Sequence, residues 1–289
     1  MDKIIVPTKT KVAGSTTKII NTYFESLTPV EEKNLSETVP TIPSGIEGLD
    51  ELISGGFPKN RVILVIGGPG AGKTILASQF LYKGLSLQGE NGVFVSLDET
   101  KKHYFAEMQK FGWDFEKAEA EGKFAFLDAT RLSRVAMLKE KMLKEESSSL
   151  RGKELQIDKL IEDLQTTIQK VNAKRVALDT LASLFYRFTD PTERRTAGVD
   201  LIEALSDIGA TVLVTTELGQ LGLERKISDE EFLVQGVIMM QNIFSGGTST
   251  RGLQVEKMRG VGVNNNLVPY TIDRSGIEIY PNMSLFREK

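Results

Sequence analysis

Residues Gly67–Thr74 read Gly-Gly-Pro-Gly-Ala-Gly-Lys-Thr and match the pattern G-x-x-x-x-G-K-[ST] in full. They follow a strand-length apolar run, Arg61–Ile66 (RVILVI), of the kind that forms a buried parallel strand. They precede Ile75–Leu87, where Leu76, Phe80, Leu81 and Leu85 recur with helical spacing. The glycines allow torsions that turn successive N–H groups toward one anion. The helix behind them adds its partial positive end. Gly67, Gly68, Pro69, Gly70, Ala71 and Gly72 therefore read as the cradle of a polyphosphate. Lys73 is expected to reach the β- and γ-phosphates, and the Thr74 hydroxyl to ligate Mg²⁺.

Strand and helix patterns alternate around this motif. Gly92–Leu97 (GVFVSL), Lys123–Leu127, Arg175–Asp179 (RVALD) and Thr211–Thr216 (TVLVTT) read as strands. Ile46–Ile53, His103–Phe111, Lys153–Lys170 and Pro191–Ile208 read as helices. Such alternation predicts an α/β domain on a largely parallel central sheet flanked by helices. The tail differs. Gly236–Phe244, Gly252–Lys257, Leu267–Ile272 and Ile277–Tyr280 are apolar runs with short links, which predicts an antiparallel meander at the sheet edge. Residues 1–39, rich in Thr, Ser, Lys and Glu, read as an arm, either flexible or ordered against another subunit, and residues 40–289 as one domain. Residues 131–152 read as a surface insertion. Leu132, Val135, Leu138 and Met142 suggest a helix there, and Lys139–Glu146 a solvated face.

Composition removes several classes. The chain has no cysteine and a single histidine, His103, which excludes thiolate chemistry, disulfides and a histidine-clustered metal site. The net charge of −3 supplies no bulk attraction to nucleic acid or anionic membrane. No apolar stretch approaches the ~20 residues needed to span a bilayer. The first residues lack a signal-peptide core, so a cytoplasmic protein is expected.

Phosphoryl transfer to water needs a held metal and a positioned water. Asp179 ends an apolar strand, at the edge of a parallel sheet where ligands bind, and reads as the acid of the Mg²⁺ shell. It could also cap the segment that begins at Thr180. Asp98 and Glu99 follow the strand GVFVSL at the same kind of edge. Either could orient or deprotonate water, and both could instead favour the start of a helix near Thr100. His103 reads as an exposed helix residue and Trp113 as a packing residue. Ser245–Gly252 (SGGTSTRG) reads as a hairpin tip in a plain turn, and Leu218–Lys226 as a mobile loop.

Several pieces, in order, resemble the RecA superfamily and within it the KaiC-like ATPases. They are Thr41–Thr74, Phe94–Thr100 (FVSLDET), Phe111–Asp114 (FGWD), Arg175–Leu184 (RVALDTLASL), Lys257–Gly260 (KMRG) and Tyr270–Ile279 (YTIDRSGIEI). The resemblance covers Thr41 to about Tyr280. It implies a RecA-like P-loop NTPase fold with ATP, rather than GTP, as the nucleotide. It implies a homo-oligomer, a hexameric ring above all, with ATP between subunits. Lys257 and Arg259 would then reach a neighbour's γ-phosphate and offset charge in the transition state. The pattern departs from the family at two places. The acidic turn usually carries two glutamates, and here the first is Asp98. Where the clock protein has its phosphorylatable Ser-Thr pair, this chain has Glu230, Glu231 and Phe232, so self-phosphorylation is not expected.

The reading is thus a Mg-dependent ATPase, possessing a regulatory or signalling role read by an unknown protein partner. One rival is a recombinase-like DNA-binding ATPase, which the missing basic cluster disfavours. Another is a nucleotide-dependent scaffold with little hydrolysis.

Overall fold

The computed structural model describes residues 39–130, 150–185, 188, 190–218, 229–245 and 247–285. Strand β1 (Thr41–Ile42) pairs with β2 (Phe57–Pro58) across a short helix, α1 (Leu49–Leu52). Strand β3 (Val62–Gly67) runs through the phosphate-loop sequence into α2 (Lys73–Lys83), which continues as a π-helical turn, Gly84–Gln88. Next come β4 (Gly92–Ser96), α3 (Lys101–Met108), α4 (Phe115–Ala120), β5 (Phe124–Asp128) and α5 (Leu150–Val171). They are followed by β6 (Arg175–Asp179), α6 (Leu181–Phe185), α7 (Pro191–Asp207), β7 (Thr211–Glu217) and α8 (Asp229–Leu233). The tail comprises β8 (Gly236–Ser245), β9 (Thr248–Met258), β10 (Val268–Asp273) and β11 (Gly276–Ile279).

Among the described residues, nine strands form one sheet in the order β11-β10-β9-β8-β3-β7-β6-β4-β5. From β8 to β5 every pairing is parallel, and from β8 outward to β11 every pairing is antiparallel. The inner parallel strands are buried on both faces, as their unbroken apolar runs require, and the edge strand β5 is only partly buried. Successive side chains alternate between two cores. Ile63 and Val65 join Ala177, Leu213 and Ile238 beneath α2, with Phe80, Phe94 and Tyr104. Val62, Leu64 and Ile66 join Val176, Leu178, Val212 and Val214 against α5 and α7, with Leu164, Leu201 and Leu205.

Helix starts follow local chemistry. Asp190 caps α7 by accepting from the N–H groups of Thr192 and Glu193, both at 2.9 Å, and Pro191 opens the helix. In contrast, α2 starts at Gly72 (φ 92°) with no side-chain cap and no acid in its first turn. Its first N–H groups are therefore left for an external acceptor. At its other end α2 rests on Arg175. The guanidinium of this fully buried side chain pairs with Glu90 at 2.6 Å, donates to the Phe80 carbonyl at 2.9 Å and lies 4.6 Å from the Phe80 ring centroid. A Cβ at Gly84 would stand 2.4 Å from Arg175 Cδ, so only glycine fits there.

Several expectations need correction. Of Ile46–Ile53 only Leu49–Leu52 is helical, because Gly48 takes a left-handed φ of 79° and Glu47 bridges to Glu278 instead. The hairpin tip expected over Ser245–Gly252 is largely strand. Asn242 pairs with Arg251, and the ladder continues to Ser245 and Thr248. Thr248, Ser249, Thr250 and Arg251 are polar and exposed, so no apolar alternation announced them. The first tail strand, β8, pairs parallel with β3, and only the strands after it form the antiparallel meander. The helix suggested over Leu132–Met142, residues 131–149 of the surface insertion, nearly all of the arm, and the loop beyond Leu218 lie outside the described residues. His103 is exposed on α3, and Trp113 is buried and stacked between Tyr82 and Phe111.

Candidate functional site

Gly67, Glu217, Asp179 and Ser96 end four neighbouring parallel strands, β3, β7, β6 and β4, and so line one carboxyl-terminal edge of the sheet. The phosphate loop crosses this edge. It is held from below by the meander: the Tyr270 hydroxyl donates to the Ala71 carbonyl at 2.6 Å. A Cβ on Gly72 would meet Ile272 at 2.6 Å, and one on Gly67 would meet the Met240 carbonyl oxygen at 2.7 Å. The loop therefore has no room to sink, and its residues Gly68 and Gly70 face open space.

Lys73 Nζ donates to the carbonyls of Gly67 at 2.9 Å and Gly68 at 3.2 Å, folded over its own loop. Burial lowers the pKa of this ammonium, while Asp179 and Glu217 pull it back up. Thr74 Oγ1 donates to one carboxylate oxygen of Asp179 at 2.8 Å, and Thr215 Oγ1 donates to the other. Burial raises the pKa of Asp179, and those two hydroxyls and Lys73 oppose the rise. The structure thus brings Lys73, Thr74 and Asp179 together, with both Asp179 oxygens taken up by threonine hydroxyls. Thr215 belongs to no motif in the sequence. Its only signal was a hydroxyl near the end of a strand, which becomes meaningful once β7 is known to adjoin β6.

The acidic turn between β4 and α3 separates its two carboxylates. Glu99 lines a cavity of about 410 Å³ with Gly70, Gly72, Lys73, Thr74 and Glu107. Its Oε2 is buried and has no hydrogen-bond partner. Burial raises its pKa, with further contributions from Glu107 and Asp179. Asp98 is exposed and accepts from Ser183 Oγ at 2.5 Å. Neither side chain caps α3.

Lys257 and Arg259 lie elsewhere. Met258 pairs with Gly236 and Gly236 with Ile63, at the start of β3, whereas the phosphate loop leaves its end. At ~3.3 Å per residue the offset along the strand is about 13 Å. The Lys257 ammonium donates to the Glu231 carbonyl, and Arg259 Nη2 donates to the Phe232 carbonyl at 3.2 Å. Burial and the adjacent Arg259 lower the pKa of Lys257. These cations cannot serve the loop of their own chain.

The oxygens of Thr74 and Asp179, with a lysine and uncapped amides facing the same cavity, fit a hard divalent cation on a polyphosphate. Among the described residues no group of three or more His, Cys, Asp or Glu side chains is placed to hold a metal by itself. No helix among them is long and apolar enough to cross a membrane. An uncapped helix behind a glycine-rich turn, at the edge of a largely parallel sheet with an antiparallel extension, defines a nucleotide-binding protein of the RecA type.

Comparison with known proteins narrows the class. The profile of the KaiC ATPase family matches residues 42–284. UPF0273 protein MJ1359 of Methanocaldococcus jannaschii is 34% identical over 247 residues, covering 84% of this chain and 98% of that protein. The circadian clock oscillator protein KaiC of Synechococcus elongatus is 34% identical over 241 residues, covering 82% of this chain. The match takes in only 43% of that clock protein, so this chain spans less than half its length. The crystal structure of KaiC-like protein PH0186 from Pyrococcus horikoshii OT3 superposes with a TM-score of 0.70 at 34% identity, over 84% of this chain and all of that one. The chain belongs to the KaiC family of ATPases.

Proposed function

We propose that this protein is a Mg-dependent ATPase that assembles as a ring, with each ATP held between two subunits, in a cytoplasmic regulatory or signalling role. The observation that carries the hydrolytic reading is Glu99, which lines the cavity beside the phosphate loop and has one buried carboxylate oxygen without a partner. A carboxylate so placed can accept the proton of an attacking water. Backbone amides from Gly67 to Thr74 and the start of α2 bind the phosphates. Lys73 swings from its own loop carbonyls onto the β- and γ-phosphates. Thr74 and Asp179 hold Mg²⁺, which when bound supplies positive charge at the phosphate oxygens.

Lys257 and Arg259 complete the site of the next subunit. Their position at the far end of the sheet suits a head-to-tail ring, in which opposite edges of one chain meet. The carbonyls of Glu231 and Phe232 hold both cations ready. Glu230 pairs with Arg194 at 3.2 Å, and no hydroxyl stands at Glu230, Glu231 or Phe232 to receive phosphate, in keeping with hydrolysis rather than self-phosphorylation.

The test is turnover in Mg-ATP together with the particle mass. Glu99→Gln is expected to lose at least about 100-fold in kcat, the lower range for a general base, and to keep ATP binding. The mass should rise to that of a ring on adding Mg-ATP. Chelating the metal should stop turnover, and DNA should leave it unchanged. A Glu99→Gln protein with parental kcat, or a monomer in saturating Mg-ATP, would refute the proposal.

A further inference from the structure

We infer that Ser183 is a positioning residue for hydrolysis, tying Asp98 back so that Glu99 alone of the two acids faces the phosphate cavity. The inference rests on the reading of Glu99 as the water-orienting acid.

Three contacts fix the acidic turn. The Leu97 N–H donates to the Asp179 carbonyl at 2.8 Å, extending the β4–β6 ladder by one residue. The Glu99 N–H donates to Ser96 Oγ at 2.9 Å. Ser183 Oγ donates to Asp98 at 2.5 Å. Two of the three run to one short segment, residues 179–183, and that segment also carries Asp179, whose side chain takes the Thr74 hydroxyl. The proposed metal acid and the turn that bears Glu99 are thereby placed from one rail. The Ser183 end of the rail is itself set by its N–H, which donates to the Thr180 carbonyl at 3.2 Å.

The Ser183 contact is the only one of the three made by a side chain of the turn. Peptide geometry alone does not decide which of two adjacent acids points inward. With Asp98 held outward by Ser183, the backbone of the turn is committed and Glu99 enters the cavity. Aspartate suits the outer place, since its short chain leaves little play between the turn and Ser183. The departure from two glutamates is therefore consistent with a tethering role for the first acid, not with a transfer of the base function to it.

The experiment compares Ser183→Ala, Ser183→Thr, Asp98→Asn and Asp98→Ala with the parent, measuring kcat and KM for Mg-ATP and nucleotide-free melting. Ser183→Ala is expected to lower kcat on the order of 10-fold, as a misplaced group does, with KM and melting close to parental. Ser183→Thr, which keeps the hydroxyl, should recover most of that loss. Asp98→Asn keeps an acceptor oxygen and should stay near parental, whereas Asp98→Ala should match Ser183→Ala. Parental kcat in Ser183→Ala, or Ser183→Thr as slow as Ser183→Ala, overturns the assignment. So does Asp98→Asn falling as far as Glu99→Gln, which would make Asp98 the base. If Ser183→Ala does not fold, the two Asp98 variants decide together: a kcat loss in Asp98→Ala with Asp98→Asn near parental supports the tether, and parental kcat in Asp98→Ala removes it. Parental turnover in Glu99→Gln is a separate failure, since it removes the base reading itself.

Discussion

At the scale of single residues the site is a set of charges kept from water. Glu99 must be ionised to take a proton, and its carboxyl titrates above the usual glutamate range because of burial and, next, Glu107. Turnover is therefore expected to fall as pH drops through that raised value. Glu107→Gln removes a negative neighbour, lowers the Glu99 pKa and should move the acid limb of the kcat profile to lower pH. An unmoved limb would separate the two carboxylates. The pKa of Asp179 is likewise raised, and for stability the pH dependence runs the other way. Its folded-state pKa lies above the ordinary value, so its favourable contribution is complete below the unfolded pKa and is lost as pH rises through the folded one. At neutral pH the charge is a cost in the nucleotide-free protein. Asp179→Asn should consequently raise the nucleotide-free melting temperature while abolishing the further rise given by Mg-ATP, a trade common at functional sites. A fall in nucleotide-free melting would count against this account. Lys73, Thr74, Asp179 and Glu99 were each legible as candidates, since a motif or a strand end announces them. Thr215, Glu107 and Ser183 were not, because they matter only through the neighbours that packing gives them.

At the scale of elements, the loop is set by what lies under it. The positive φ of Gly72 and the 2.6 Å approach of Ile272 mean that any side chain there strains the backbone and pushes on β10. Gly72→Ala should cost about 1–3 kcal/mol in strain and abolish nucleotide binding. Denaturant unfolding and a nucleotide titration check both, and parental binding would show that β10 gives way. The opposite end of α2 makes a comparable demand through Arg175. Strand and helix positions of the parallel half were readable because apolar periodicity is strong in elements buried on one or both sides. The pieces that escaped were β1, β2, α4, α6, α8 and the outer part of the β8–β9 hairpin. They are too short, or too exposed, for a period to develop.

At the scale of the molecule, the two ends of β3 lie level with the two halves of the proposed intersubunit site. Lys257 and Arg259 stand at one end and the phosphate loop at the other, about 13 Å apart along the strand. Two inactive variants should then rescue each other. Lys73→Ala keeps the cations and Arg259→Ala keeps the loop, so mixed, reassembled rings regain some proper pairs. An equal mixture is expected to show roughly a quarter of parental turnover, the chance of the productive order at a head-to-tail interface. No gain over the unmixed variants would show that Arg259 does not act in trans. The amino-acid sequence by itself determined the phosphate loop and the α/β class, because a backbone anion cradle and apolar periodicity depend on neighbours in the chain. Only the tertiary structure decided which acid faces the cavity and at which end of the sheet the cations stand. Those choices depend on strand order, which is set by contacts between residues far apart in sequence.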